Sequence, residues 1–540
     1  MSKDRNEHHP FGSANFAAHA DLHAAGMLRQ SDTALFLGFH AGQPLWYDRP
    51  GGLLLIGGAR SGKLRDVLAY NLCSGIFTRG SMLVLDLKGE LAAISQDQTP
   101  DNKHCHYWNP LGLHGIRQDR VNPVDYLRKS SPSLFADVKL FAEGLVPSSG
   151  SPQSVFFEQR AREYIEAISL MLVMLNGQLD LPALYETINL IPGNTPAWRD
   201  FAYEMYRSGI PLVARVEEEI ATSREDSSGG YRGIVGELFN SVSCLSDPVL
   251  RESVSPPFDF SLEDLCRSDH FTQFYMMCPA ELVGAYAPVI KAIFTGAMIY
   301  KARKPEAPAQ TWILDECAQL KGFSLVPRMF TYGAGMGIRP WAVFQSLKQM
   351  DDLAPGARDI ITSSAGCQSY FSLRDVLSSR TISEMLGVQT FKWADPVRQG
   401  RARLDQARLL GNLFSGADPF DLIPQFMQKR LESQWQTRQR RPLRTTDEVL
   451  NLPENRQFIF ADGLPGAVLA ERAPYFDQPF MAGRYHPNPY HPPYDRVSVT
   501  TNTGRKEMRP VIRASVPDRF AHLPQYRDGM WSHIGGQSDA

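Results

Sequence analysis

The sequence predicts an α/β protein with a parallel-rich central sheet, interrupted by an all-α insertion. Three observations predict it. An apolar run, Leu53 to Ile56, stops at two glycines and opens a loop ending in Ser61, Gly62 and Lys63. One helical stretch later comes a second apolar run, Met82 to Leu85, and this strand–helix–strand order implies a parallel sheet. From about 150 to 256 helical periodicity repeats without a strand-like stretch.

The first element is the most informative. Residues 57 to 63 read GGARSGK, the G-x-x-x-x-G-K pattern of a phosphate-binding loop. Backbone N–H groups from Gly57, Gly58, Ala59, Arg60, Ser61 and Gly62 would curl round the phosphates of ATP. Lys63 would neutralise charge, and the helix that follows would aim its N-terminus at the anion. Leu64 departs from the pattern, which has Ser or Thr there to hold magnesium. A glycine-rich turn that binds nothing would look much the same.

A second segment adds weight. Residues 311 to 316 read TWILDE, an apolar strand ending in two carboxylates. Asp315 would orient magnesium through water, and Glu316 would polarise the attacking water. The plain alternative is a solvated strand terminus.

Composition bounds the rest. The chain has 540 residues, enough for two or three domains. Its 43% hydrophobic and 21% charged residues are ordinary for a globular protein. A net charge of −2 argues against a basic coat, so any nucleic-acid contact must be local, in a pore or groove. The seven cysteines are scattered, with no C-x-x-C, and read as reduced cytosolic thiols. The cluster His104-Cys105-His106 lacks spaced partners and reads as a strand end, not a metal site. The start, MSKDRNEHHPFG, is polar, and no window reaches about 18 uninterrupted apolar residues. The expected location is the cytoplasm, with any membrane contact made through a partner.

Four parts follow in order. Residues 1–50 are a polar lead-in. Residues 51–149 and 257–480 form a discontinuous nucleotide-binding domain. Residues 150–256 form the all-α insertion, with helices expected at Val155 to Leu175, Leu181 to Leu190, Ala197 to Tyr206, Leu212 to Thr222 and Tyr231 to Leu245. Strand character resumes at Phe271 to Met277, then at 311 to 316, Trp341 to Phe344 and Cys367 to Ser372. Residues 481–540 begin with the Pro/His/Tyr linker HPNPYHPPYD and continue as a polar tail, read as partly disordered.

Taken together these residues resemble the type IV secretion coupling proteins, the conjugative DNA-transfer ATPases. The resemblance covers roughly residues 10 to 485. GGARSGK resembles the family's GPTRSGK loop, and VLDLKGEL (84–91) its V-x-D-P-K-G-E-L strand. Asn122-Pro123 with Asp125-Tyr126 resembles N-P-L-D-Y. ILDECAQL (313–320) resembles L-L-D-E-F-A-x-L, and GMGIRPWAVFQSLKQM (335–350) the block G-x-G-I-R-x-W-x-x-x-Q-x-x-x-Q-L. Gly12-Ser13-Ala14, SRTISEMLG (379–387) and RPLRTTDEVLNLP (441–453) fit as well. Many family members carry glycine at the position of Leu64, so the missing hydroxyl is partly a family trait. Two transmembrane helices usually open the family's chains, and this sequence shows none.

The resemblance implies a RecA-like P-loop ATPase fold with ATP and magnesium as cofactors. It implies that Gly57 to Lys63 grip the phosphates, that Asp315 holds magnesium through water and that Glu316 is the general base. Gln345 would sense the γ-phosphate; a strand-end hydrogen bond is the plain alternative. The family implies a ring homo-hexamer, with an arginine supplied by the neighbouring subunit and Arg374 or Arg339 as candidates. It implies as partners sequence-tolerant DNA in the pore, relaxase or secreted protein substrates, and other type IV secretion subunits. Two other readings stand beside it: a DNA-pumping motor outside secretion, and a nucleotide-binding adaptor that does not hydrolyse, for which Leu64 is the main support.

Overall fold

The computed structural model describes all residues except 1–10, 74–75, 97–101, 148–153, 225–228, 416–417, 434–435, 482–483, 487, 491–495, 501–504, 519–520, 522–528 and 535–540. Its contacts divide the chain into two compact units, residues 1–25 with 370–470, and residues 26–369 with 471–540.

The larger unit is built on a mostly parallel sheet edged by an antiparallel strand pair. Its strands are β1 (Leu35–His40), β2 (Gln43–Tyr47), β3 (Gly52–Ile56), β4 (Ser81–Asp86), β5 (Lys103–Trp108), β6 (Phe271–Met277), β7 (Gln310–Leu314), β8 (Ile338–Phe344) and β9 (Ala365–Tyr370). The order β9-β3-β8-β7-β4-β6-β5 runs across the sheet. Every residue of β3, β4, β6, β7 and β8 is buried, as expected for parallel strands covered on both faces. The order is what makes a site. Register pairs Ile56 with Phe344, Leu314 with Ala342 and Leu85 with Leu314, so β3, β8, β7 and β4 end at one carboxyl edge. Open parallel sheets bind ligands at that edge.

The hairpin β1–β2 falls inside the expected lead-in. Leu35 to Phe39 are buried, and Leu35 pairs with Tyr47. The notable sequence signals of this stretch were polar, and the apolar run LFLGF is short enough to pass unread between them.

Between β5 and β6 the structure is helical. Helices span Leu134–Leu145, Val155–Asn176, Leu181–Leu190, Pro196–Arg207, Pro211–Ser223, Gly230–Val242 and Pro248–Ser253. Their boundaries have local causes. The Asp180 and Thr195 side chains accept from the N–H groups of Ala183 and Trp198, and prolines occupy the first turns. Gly177, at φ +84°, ends the first long helix of the insertion in a left-handed cap.

The helix Val283–Arg303 crosses from β6 to β7. The segment Ala280–Arg303 is the one stretch among the described residues long and apolar enough to span a membrane, and half of its most apolar window is buried inside the protein. Phe294 meets Trp312 of β7 at 5.7 Å between ring centroids, and Gly296 leaves no room for a side chain against the Pro123 carbonyl. This is core packing.

The tail differs from the expectation of disorder. Strands at Arg496–Thr500, Lys506–Ser515 and Met530–Ile534 pair antiparallel. Alternation of β-branched with polar residues in RVSVT supports a strand despite the charge. Within the Pro/His/Tyr linker, residues 487 and 491–495 lie outside the described residues, as do 1–10 of the lead-in.

The smaller unit holds β10 (Val388–Ala394), β11 (Gln436–Pro442) and β12 (Arg456–Ala461), with helices Val376–Leu386, Pro396–Phe414, Pro419–Ser433 and Thr446–Leu450. Its N-terminal segment is stitched to β10. Ala14 N–H donates to Val388 O at 3.0 Å, and Thr390 N–H to Gly12 O at 2.9 Å. Gly12 sits at φ +138°, where a Cβ would lie 2.4 Å from the Val388 carbonyl oxygen, so only glycine fits.

Candidate nucleotide-binding site

The loop after β3 begins as a continuation of the sheet, with Gly57 N–H donating to Phe344 O. Arg60 and Gly62 then take left-handed backbone, at φ +59° and +88°. A Cβ on Gly62 would come within 2.6 Å of Asp66, so the turn needs glycine on two counts. Lys63 folds back across the loop, and its Nζ donates to Gly57 O at 2.6 Å and Gly58 O at 3.2 Å. Burial lowers the Lys63 pKa, against the opposing pull of Asp315 and Glu316. An ammonium held this way, close to two carboxylates and short of water, is suited to take phosphate oxygens in place of carbonyls. Ser61 Oγ is buried there with no hydrogen-bond partner, so its hydroxyl is an unused donor.

The helix after the loop opens with a π-helical turn, Leu64–Leu68, in which Ala69 N–H reaches Leu64 O. Such bulges gather at functional sites. Leu64 is partly exposed. Asp66, two residues on in the same turn, is buried between two arginines. Arg65 Nε approaches it at 2.5 Å, and the buried Arg472 at 3.1 Å. Arg472 also donates to Ser61 O at 2.7 Å. It thus ties the loop to a residue 411 positions downstream.

β7 delivers the carboxylates. Asp315 N–H continues the pairing with β4 by donating to Leu85 O. Burial, then the neighbouring Glu316 charge, push Asp315 up to about 6, while Lys63 and Lys88 pull it down. Glu316 is held at φ +51°, a left-handed backbone rare outside glycine and found where function over-determines geometry. Its Oε1 lies 3.0 Å from Lys88 Nζ. On the adjoining strand, Asp86 ends β4 fully buried; desolvation pushes it up to about 7, and Ala92 N–H donates to it at 2.8 Å.

The structure therefore gathers the loop 57–64, Asp315 and Glu316 at one edge. Gln345 follows β8 at the same edge, its N–H accepted by Gln349 Oε1 at 2.8 Å. The two arginine candidates separate. Arg339 is a correction: it is 3% exposed within β8, donates to Thr33 O at 2.7 Å and lies over the Phe77 ring at 5.1 Å. A guanidinium committed inside its own chain does not reach a neighbour's nucleotide. Arg374 is exposed, in the smaller unit. Sequence reasoning missed Asp86, Lys88, Asp66 and Arg472 as site residues. The first two stand in the VLDLKGEL block and were readable there. Asp66 and Arg472 have no local signal.

The donor set can be tested against a nucleotide with magnesium. The loop backbone, Lys63 and the vacant Ser61 hydroxyl suit phosphates. Asp315 supplies a carboxylate that would hold a metal through water, and Leu64 offers no ligand. The groups fit, with a thinner metal shell than the general pattern provides.

A parallel sheet with a phosphate loop at its carboxyl edge, strand-borne carboxylates beside the loop and an inserted helical region define a RecA-like P-loop ATPase fold with an all-α domain. Residues 12–407 match the family described as Type IV secretory system Conjugative DNA transfer, and the chain belongs to that family. Solved structures agree on the fold. The unbound monoclinic form of the bacterial conjugative coupling protein TrwBdeltaN70 aligns with TM-score 0.54 at 16% identity, covering 85% of this chain and 94% of that one. The plasmid coupling protein TrwB in complex with ADP and Mg2+ aligns with TM-score 0.53 at 17% identity, covering 86% and 97%. TrwB bound to the non-hydrolysable analogue ADPNP aligns with TM-score 0.54 at 17% identity, covering 86% and 96%. No curated protein sequence matches the chain significantly.

Proposed function

We propose that this chain is the ATP-driven coupling protein of a type IV secretion or conjugation system, working at the cytoplasmic side. It would recruit relaxase-bound DNA or protein substrates and pass them to other secretion subunits. The observation that carries the reading is the convergence of Lys63, Asp315 and Glu316 at one sheet edge in a chain of the conjugative DNA-transfer family.

The residues divide the chemistry. Lys63 exchanges the Gly57 and Gly58 carbonyls for phosphate oxygens, and the loop N–H groups bind the remaining phosphate charge. Magnesium, when bound, would neutralise phosphate charge. Asp315, raised to about 6 by burial and by Glu316, would hold such an ion through water once deprotonated. Glu316 takes a proton from the attacking water, with Lys88 fixing its carboxylate. Gln345 reads the γ-phosphate. Arg374 is the remaining candidate to act on a neighbouring subunit's nucleotide, in a homo-hexamer with DNA in its pore.

Leu64 favours a second reading, an adaptor that binds nucleotide without turning it over. Calorimetry and steady-state turnover separate the two. ATP binding by wild type, its loss in Lys63→Ala, and DNA-stimulated hydrolysis support the motor. Binding without hydrolysis on DNA supports the adaptor. Unchanged ATP affinity in Lys63→Ala removes the site itself.

A further inference from the structure

We propose that the helical pair Pro396–Phe414 and Pro419–Ser433 docks on an anionic lipid surface. The pair is carried between β10 and β11 and packs on itself. Gln406 Nε2 donates to Ser433 Oγ at 3.0 Å, Lys429 Nζ lies 3.4 Å from Asp405, and Ala402 is buried. The opposite faces carry large apolar side chains. Phe420 is 87% exposed, Ile423 50%, Met427 61% and Leu431 70%. Their spacing, i, i+3, i+7 and i+11, sets them in one stripe along the helix. On the first helix Val397 and Leu404, both 64% exposed, share a face with the exposed Arg401 and Arg408. Arg403 and Arg430 are exposed as well. Single exposed apolar residues are ordinary; a continuous stripe on a helix marks an interaction site.

Charge selects the occupant. Residues 388 to 442 hold ten Lys and Arg against five Asp and Glu, in a chain of net charge −2. A second copy packed face to face would set these arginines against their own copies. Nucleic acid would satisfy the arginines and leave Phe420, Ile423, Met427 and Leu431 in water. An anionic bilayer satisfies both, with the apolar stripe in the acyl boundary and the guanidinium groups among the headgroups.

The test is flotation of the full chain with phosphatidylglycerol-containing vesicles and with pure phosphatidylcholine vesicles. Wild type should float with the anionic vesicles and lose binding as salt rises. Phe420→Ser with Leu431→Ser, both at exposed positions, should cut vesicle binding by about tenfold or more. Arg401→Glu with Arg408→Glu should abolish the preference for anionic lipid. ATP affinity should stay at the wild-type value in both pairs, so failure here is distinct from failure of the nucleotide site. Wild type that does not float, or pairs that float like wild type, overturns the proposal. So does a change in oligomeric mass of the Phe420→Ser, Leu431→Ser pair in lipid-free solution, which would assign the stripe to a second copy. Loss of DNA retention with vesicle binding intact would likewise overturn it.

Discussion

Lys88 Nζ lies 3.0 Å from Glu316 Oε1, so the turn that ends β4 holds the carboxylate that ends β7. The pair joins two strand ends that the sheet already places side by side. Its effect on stability is small, because Lys88 is half exposed at 51%. Its effect on orientation is larger, since Glu316 sits on a left-handed backbone and Lys88 holds its carboxylate directly. Lys88→Ala should leave ATP affinity within about twofold and lower turnover on the order of tenfold, a fraction of what a general base contributes. Equal loss of affinity and turnover would mean that Lys88 contacts the nucleotide instead.

Asp86 and Asp315 make stability depend on pH in a stated direction. Both carboxyls are raised, to about 7 and about 6, from an ordinary value of 3.8. Between about pH 4 and 7 the folded chain therefore keeps protons that the unfolded chain has released. Their contribution to stability falls as pH rises through that window and is flat above it. Asp86→Asn should gain stability relative to wild type by up to about 1.4 kcal/mol per pH unit across the window. Denaturant titrations at several pH values read this directly; a constant difference between the two proteins would show that Asp86 is not raised.

Arg472 tests whether the loop is held from a distance. Arg472→Met leaves Asp66 buried with Arg65 alone and removes the donor on Ser61 O. Removing one partner of a buried pair costs about 3 kcal/mol. ATP affinity should fall as well, because the loop loses its tether. Loss of stability with unchanged ATP affinity would make Arg472 a packing residue only.

The loop 57–63 and the pair Asp315-Glu316 are local strings whose chemistry is written in adjacent letters, and the helices of the insertion announce themselves by period and cap. Arg472 and Asp66 are 406 positions apart, and only the folded chain brings them together. Arg339 was named because the resemblance implies an arginine from a neighbouring subunit; the strand expected at Trp341 to Phe344 begins instead at Ile338, so Arg339 lies inside the buried β8 and donates to Thr33 O. The helical pair at 396–433 went unread because its arginines mask the apolar period. The tail strands went unread because proline and charge were taken as signs of disorder.

Leu64→Thr addresses the departure from the general motif. Leu64 is only partly buried, so the substitution should cost little stability. A hydroxyl there would add a magnesium ligand and should tighten magnesium by about tenfold, read by titration with ATP present. A lowered melting temperature with an unchanged titration would give Leu64 a packing role. Normal melting with an unchanged titration would contradict both accounts.

The central claim is that Glu316 activates water for hydrolysis of ATP bound on the loop. The direct measurement is ATP turnover by wild type and Glu316→Gln on DNA, with ATP affinity measured on the same samples. Both proteins should bind ATP alike, and turnover should fall by a factor on the order of 100 or more in the variant. Turnover in Glu316→Gln equal to that of wild type, with ATP bound by both, would contradict the account.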